Sequence, residues 1–234
     1  LVIGIPASID NDIGCTSLAI GVDTAMNTIV EACDKISDTA RAHDRTFIVE
    51  VMGRDCGYLA MTAAIASAAE AVHFPEANSS EEDMVDRVTQ AILRSASRQE
   101  KAHRVIIIKA EGAAIPVNVL KDRVDARIDE LAKEGKATPV ETRVTVLGHI
   151  VRGGRPSAFD RLLGSRLAFT AVEGLGRGLS RRMAAWTPPG ALPPPAPPAL
   201  GAVLGETRTL ISGESRVTQR RVSIFDRVEE ALAY

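Results

Sequence analysis

Cysteine is scarce in this sequence: three in 234 residues (Cys15, Cys33 and Cys56), an odd number with no CxxC pair. That excludes a disulfide framework and fits a reducing compartment, so a cytoplasmic location is expected. Aromatic residues make up only 3%, too few for a platform on which single-stranded nucleic acid could stack. An excess of one charge sign is also missing. Lys and Arg number 28 against 30 Asp and Glu, a formal net charge of −2, which excludes bulk polyanion binding; no nucleic-acid partner is expected. No apolar run nears the roughly 18–20 residues of a membrane-spanning helix, so no membrane partner is expected either. The opening stretch LVIGIPASID lacks the basic region and cleavage pattern of a signal peptide. Walker A and GxGxxG motifs are absent, and no His/Cys cluster has zinc spacing.

What is present is an alternation of two periods in a chain that is 45% apolar, long enough for one large or two small domains. Residues 1–5 form a short apolar run closed by Pro6, which reads as a strand already under way. The chain is therefore expected to begin part-way through a longer protein. Val22, Met26, Ile29, Val30, Cys33 and Ile36 recur at steps of three and four, predicting an amphipathic helix over 16–37. Residues 46–51 (TFIVEV) predict a strand, 57–69 a helix, 71–74 a brief strand and 104–109 (RVIIIK) a buried strand. A capping box of Ser79 with Glu82 opens a helix between them. Residues 117–133 predict a helix, 141–147 a strand and 157–172 a helix. Seven of the eleven residues 188–198 are proline, which disallows a regular ladder or helix there and predicts an extended loop. A final strand at 207–210 and helix at 224–232 follow.

Apolar strands separated by helices imply βαβ units, hence an α/β fold with parallel sheets covered on both faces. Ligands in such sheets bind outside the carboxyl ends of the strands, which directs attention to four strand-to-helix loops at 6–15, 52–57, 110–116 and 148–156. The first carries Ser8, Asp10 and Asp12, two carboxylates and a hydroxyl suited to proton acceptance and to facing a cation, or equally to an Asx-turn. In the second, Gly53 and Gly57 flank Arg54 at a helix start, where an anion can approach. Arg45 offers a further guanidinium for phosphate. In the third, Glu111 can accept from a sugar hydroxyl or simply be solvated. The fourth combines His149, Arg152, Gly153 and Gly154, and with Arg143 it makes a phosphate pocket. Together these groups describe an anionic, hydroxylated substrate, best a sugar phosphate receiving a phosphoryl group.

The stretches SIDNDIG (8–14), RTFIVEVMGRDCGYLA (45–60), EGA (111–113) and VLGHIVRGGRPSAFDRLLGSRLA (146–168) closely resemble, in this order, the signatures of the 6-phosphofructokinase family. The resemblance covers roughly residues 1–175 and implies a two-lobed, Rossmann-like three-layer α/β fold. It implies phosphorylation of fructose 6-phosphate at its 1-hydroxyl by ATP with Mg²⁺. Asp10 would be the base, with Ser8 beside the transferred group and Asp12 near the magnesium, which its main ligand would hold from an upstream part. Arg54 would stabilise the transferring phosphoryl, Met52 and Gly53 would line the sugar, and Glu111 would hold a hydroxyl. His149 and Arg152 would grip the 6-phosphate from one subunit while Arg45 and Arg143 reach it from a neighbour, in a homo-oligomer, usually a tetramer. Glu76 resembles the family's acidic effector position. Ala7 stands where pyrophosphate-dependent relatives carry Lys, which favours ATP.

By the same resemblance, residues 1–21 would end the nucleotide-binding lobe and 22–150 would form the sugar-phosphate lobe. Residues 151–185 would return to the nucleotide lobe, 186–200 would be the Pro-rich linker, and 201–234 match nothing assignable. Lacking the family's nucleotide phosphate loop, this polypeptide alone is expected to show little or no kinase activity. The rival expectations are a pyrophosphate-dependent enzyme and a non-catalytic sugar-phosphate-binding subunit.

Overall fold

In the middle of the molecule the strand β2 (Thr46–Val51) is paired on both sides, and every pairing is parallel. The structure, a computed structural model, describes residues 1–97, 104–187, 197–215, 217–219 and 221–223. Preceding β2 are a two-residue strand β1 (Ile3–Gly4) and a long helix α1 (Val22–His43). After it come α2 (Tyr58–Ala66), β3 (Ala71–His73), α3 (Glu81–Ser97), β4 (Val105–Ala110), α4 (Val117–Lys133) and β5 (Thr142–Val146). Helix α5 (Ala158–Gly176), strand β6 (Arg182–Met183) and helix α6 (Leu200–Ile211) complete the described elements, with short 3₁₀ turns at Pro75–Ala77 and Gly148–Arg152. One sheet has the order β3-β4-β2-β5, and β1 pairs with β6 in a second, two-stranded parallel sheet.

Strand periodicity builds three layers. Phe47, Val49, Val51, Val72, Ile106 and Ile108 point to one face and pack with α1 and α2 through Ile29, Cys33, Leu59 and Ala63. Ile48, Ala71, Val105 and Ile107 point to the other, onto Met84, Val88 and Ile92 of α3 and Leu120, Val124 and Ile128 of α4. Continuous burial along β4, all six residues, is what a strand covered on both faces requires. On the α3/α4 face Glu50 and Lys109 are register partners, and Lys109 Nζ donates to Glu50 Oε2 at 2.9 Å and to the Ala110 carbonyl at 3.0 Å. The lysine is buried with its charge paired and a second acceptor in reach.

The helix boundaries depart from the sequence reading in instructive ways. Helix α1 starts at Val22, because residues 16–21 leave the helix to close a loop, and it runs on to His43. Its cap, Gly21, has no side chain to offer. The orphan amides are met from outside instead: Asp160 accepts from Gly21 N at 2.9 Å, from Thr24 N at 2.8 Å and from the Thr24 hydroxyl at 2.5 Å. Asp160 belongs to the first turn of α5, which Ser157 caps by accepting from Asp160 N. The capping box lies one residue later than read, Ser80 with Asp83 exchanging both bonds. The strand read at 207–210 is instead the last turns of α6. Thr207 and Thr209 suggest a strand by their β-branching, yet their hydroxyls bond back to the Val203 and Glu206 carbonyls, and Val203 and Leu210 bury one helical stripe. Of the Pro-rich stretch, 188–196 lie outside the described residues, as does the helix read at 224–232. Where description resumes, Pro198 O accepts from Met183 N and Ala199 bridges Arg182, so the stretch ends against β6.

Two outcomes follow from this packing. Asp160→Ala removes three bonds to a buried carboxylate and is expected to cost about 2–3 kcal/mol in urea unfolding. His73, 3% exposed and with Nε2 unpartnered among the described residues, is held neutral, mainly by burial and also by the Arg87 and Lys109 charges, which push it down to about 3. Its unfolded value is the ordinary 6.5, so the unfolded chain binds the extra proton and this contribution to stability is lost as pH falls from about 6.5 towards 3. The loss approaches ~1.4 kcal/mol per pH unit for one proton, and His73→Gln should flatten that slope between pH 6 and 4.

Candidate active site

Strand β2 ends where three loops meet. Its Val51 carbonyl accepts from Glu111 N at 2.8 Å, and its Glu50 carbonyl accepts from Leu147 N at 3.0 Å. The loops after β4 and β5 are thereby tied to the loop after β2 at the carboxyl edge of the sheet. Within the β2 loop Gly53 has φ +150°, and a Cβ there would lie 2.4 Å from the Cys56 carbonyl oxygen, so only glycine closes this turn. Arg54 follows with φ +52°, a left-handed conformation that costs a non-glycine residue of order 1 kcal/mol. Glu111 holds it there: Oε1 accepts from Gly53 N at 3.2 Å and from Arg54 N at 2.8 Å. Met52, just before, is buried in the core.

The loop bearing Asp10 is closed at its base, since Ala7 bridges Ile20 and Ser8 N donates to the Ile20 carbonyl. Asn11, 1% exposed with φ +55°, spans the interior, donating to the Ser17 carbonyl and accepting from Ala19 N. Ser8 Oγ accepts from Asp10 N at 3.2 Å and lies 3.4 Å from Asp12 Oδ1. Asp10 is buried, and its Oδ1 has no hydrogen-bond partner among the described residues. Burial first, and then the Asp12 charge, push its carboxyl above the ordinary range; Arg54 and Arg152 pull it back, and Glu111 adds a small upward push. Five of the charged residues read from sequence, Asp10, Asp12, Arg54, Glu111 and Arg152, therefore share one electrostatic neighbourhood. His149 and Arg152 lie exposed on the 3₁₀ turn after β5.

Arg45 and Arg143 are not there. Arg45, read as a further guanidinium for phosphate, and Arg143, read beside His149 and Arg152, are set apart from these loops within one chain by strand direction. Arg45 precedes β2 and Arg143 stands near the start of β5, so each is separated from the loops by its strand, about 20 Å for the six residues of β2. Both guanidiniums instead pair with Glu141, Arg45 through Oε2 and Arg143 through Oε1. Glu76 is likewise occupied: its carboxylate accepts from Gly57 N at 2.8 Å and 2.9 Å, at the start of α2. Sequence reasoning missed Glu141 and Asp160, whereas Asn11 meets local backbone groups as the Asx-turn reading of its loop expects. Ser157 three residues before Asp160 marked a helix start, but nothing local showed that the same carboxylate would cap α1.

No helix among the described residues is long and apolar enough to cross a membrane, and no group of three or more His, Cys, Asp or Glu is placed to hold a metal ion. A buried carboxylate that feels two arginines from loops at the carboxyl edge of a parallel sheet marks the candidate site of this α/β protein. The family follows from comparison: the model described as phosphofructokinase matches residues 1–175, and the chain belongs to that family. It is 48% identical over 181 residues to an ATP-dependent 6-phosphofructokinase of Brevibacillus brevis, covering 77% of this chain and 51% of that protein. One from Staphylococcus epidermidis is 48% identical over 176 residues, 75% and 49%. The chain spans about half the length of these curated relatives. Among solved structures, Pichia pastoris phosphofructokinase in the T-state superposes with a TM-score of 0.78 at 27% identity, covering 99% of this chain and 24% of that one.

A glycine sets the spacing of the two central loops. A Cβ on Gly112 would fall 2.1 Å from the Arg54 carbonyl oxygen, so Gly112→Ala must displace the Arg54 turn. The expected loss is about 1–3 kcal/mol in denaturant unfolding, with the Gly53 and Arg54 amides losing protection from hydrogen exchange.

Proposed function

We propose that this protein is an ATP:fructose-6-phosphate 1-phosphotransferase acting in glycolysis, in the cytoplasm. The observation that carries the reading is the buried Asp10 carboxylate, with one oxygen unpartnered, in the field of Arg54 and Arg152. Asp10 takes the proton from the sugar 1-hydroxyl as that oxygen attacks the γ-phosphate. Burial makes it a stronger base than a solvated carboxylate, while the two arginines oppose that upward shift. Arg54, fixed by Glu111, faces the charge that develops on the transferring phosphoryl. Glu111 has Oε1 committed to the Arg54 turn, which leaves Oε2 for a sugar hydroxyl. Met52 and Gly53 line the sugar, Ser8 lies beside the transferred group, and His149 and Arg152 hold the 6-phosphate.

Mg²⁺ neutralises charge on the donor phosphates when bound. The residues fit it in a limited way: Asp12, whose Oδ1 lies 3.4 Å from Ser8 Oγ, would face it indirectly, as suits an ion held largely through phosphates and water. Ala7, a small residue, leaves room before Ser8 for the nucleotide, which favours ATP over pyrophosphate as donor.

A second subunit completes the sugar-phosphate site in this reading. Arg45 and Arg143 lie at the far end of the sheet from Asp10, Arg143 half exposed on the edge strand β5, both aligned by Glu141. That pair is offered outwards, to the 6-phosphate bound by a neighbouring copy in a homo-oligomer, as in a tetramer.

Calorimetric titration with fructose 6-phosphate tests the site. Saturable binding is expected, abolished by Arg152→Ala, weakened by Arg45→Ala and kept by Asp10→Asn. In phosphoryl transfer from ATP, measured on a protein that carries this chain together with the family's nucleotide phosphate loop, Asp10→Asn is expected to lower the rate by about 10²–10⁴ and Arg54→Ala by about 10³–10⁵. A chain folded by circular dichroism that binds no fructose 6-phosphate would sink the assignment.

A further inference from the structure

The family match ends at residue 175, yet the chain beyond it returns to the loop that carries Asp10. Helix α6 lies against the tip of that loop. Gly14 N donates to Thr207 Oγ1 at 2.9 Å, and the same hydroxyl donates onward to the Val203 carbonyl at 2.8 Å. The Thr207 proton is thus committed within α6, and its oxygen is presented to Gly14 as an acceptor. The approach is close enough to need glycine: a Cβ on Gly14 would lie 2.5 Å from Glu206 Cβ and 2.7 Å from Thr207 N.

Residues after α6 make the second attachment. Arg221 Nη1 donates to the Asn11 carbonyl at 3.4 Å, and its guanidinium sits 4.7 Å from the centroid of the Tyr58 ring. Asn11 is next to Asp10, while Tyr58 opens α2 directly after the Arg54 turn. One side chain therefore touches both loops whose charged groups face each other in the site. Val222 packs beside it on the main core, and Ser215 ties its own segment back to Glu206. The loop's internal bonds through Asn11 and Ser8 secure its base; at the tip, the Gly14 amide and the Asn11 carbonyl have these outside partners.

We propose that α6 and the described residues that follow it, up to 223, form a strap that fixes the position of the Asp10 loop, with Thr207 and Arg221 as positioning residues. The role in catalysis rests on the reading of Asp10 as the base; the strap itself is testable without turnover. The chain carries its own reporters: Cys15, on the loop beside Glu206, is exposed, whereas Cys33 and Cys56 are buried.

The test is hydrogen exchange at the Gly14 amide in the native chain and in Thr207→Val, Arg221→Ala and Arg221→Lys, with labelling of exposed Cys15 and buried Cys33 by a small thiol reagent as controls. Thr207→Val and Arg221→Ala should each speed Gly14 exchange by up to about tenfold, the worth of one net hydrogen bond, and should leave Cys33 labelling unchanged. Arg221→Lys, which keeps a donor and a cation over Tyr58, should restore most of the native rate. Unchanged Gly14 exchange, or Cys33 labelling accelerating in parallel with it, would overturn the proposal, the latter because it reports general destabilisation. None of these readings depends on whether Asp10 is the base, which fructose 6-phosphate titration and the Asp10→Asn rate decide separately.

Discussion

Two carbonyls at the end of β2 organise this molecule. Because β2 lies between two parallel neighbours, its final C=O groups point to either side just where the ladder stops, and each takes an amide from the loop that leaves the adjacent strand. The β4 loop is held by Val51 and the β5 loop by Glu50. Parallel pairing also makes all three chains leave the sheet at one edge. Glu111, Leu147 and the Arg54 turn are consequently fixed relative to one another before any side chain of the site is considered. The buried Glu50–Lys109 pair lies one residue below this edge and locks the register on which it depends.

Onto that frame the structure places charge that solvent cannot fully screen. Asp10 is buried, has a carboxylate neighbour in Asp12, and faces arginines contributed by two other loops. Burial disfavours its charge and the arginines favour it, so the balance depends on the loops staying where they are. Several of the residues that keep them there are themselves in uncommon conformations. Asn11 and Arg54 both take positive φ, and each is held by hydrogen bonds from elsewhere: Asn11 through its side chain across its own loop, Arg54 through Glu111. Local strain of this kind persists only where the surroundings over-determine the backbone, which is the situation at this edge of the sheet.

Asp160 solves a different problem with the same device. Helix α1 begins at a glycine that cannot cap it, immediately after the Asp10 loop closes, and the carboxylate that caps it comes from the first turn of α5. The starts of two helices distant in sequence are thus pinned together, and the Asp10 loop is held at its exit as well as by its own closing bridge. Thr207 of α6 and Arg221 then meet its tip. The loop is held by its own closing bridge and by segments from two other parts of the chain.

Much of this was legible in the residues. The alternation of β-branched runs with three-and-four-spaced apolar positions gives an α/β chain with parallel strands, since burial on both faces leaves that periodic trace, and α4 falls where its pattern places it, at 117–133. The charged loops stood out because Asp10, Arg54, Glu111 and Arg152 sit next to glycines and strand ends, where packing has no use for them. What the residues could not convey was pairing at a distance. Capping of α1 by Asp160, the contacts of Arg221 with Asn11 and Tyr58, and the withdrawal of Arg45 and Arg143 to Glu141 depend on three-dimensional proximity between positions that share no local pattern. The threonines of α6 misled for a related reason: β-branching is a weak preference that packing of Val203 and Leu210 overrides. Sequence by itself determined which groups were available and which elements would carry them, because periodicity and turn chemistry are local. Tertiary structure alone decided which of those groups come together, because strand direction leaves the Arg54 turn against Glu111 at the carboxyl edge and sets Arg45 a full strand length away.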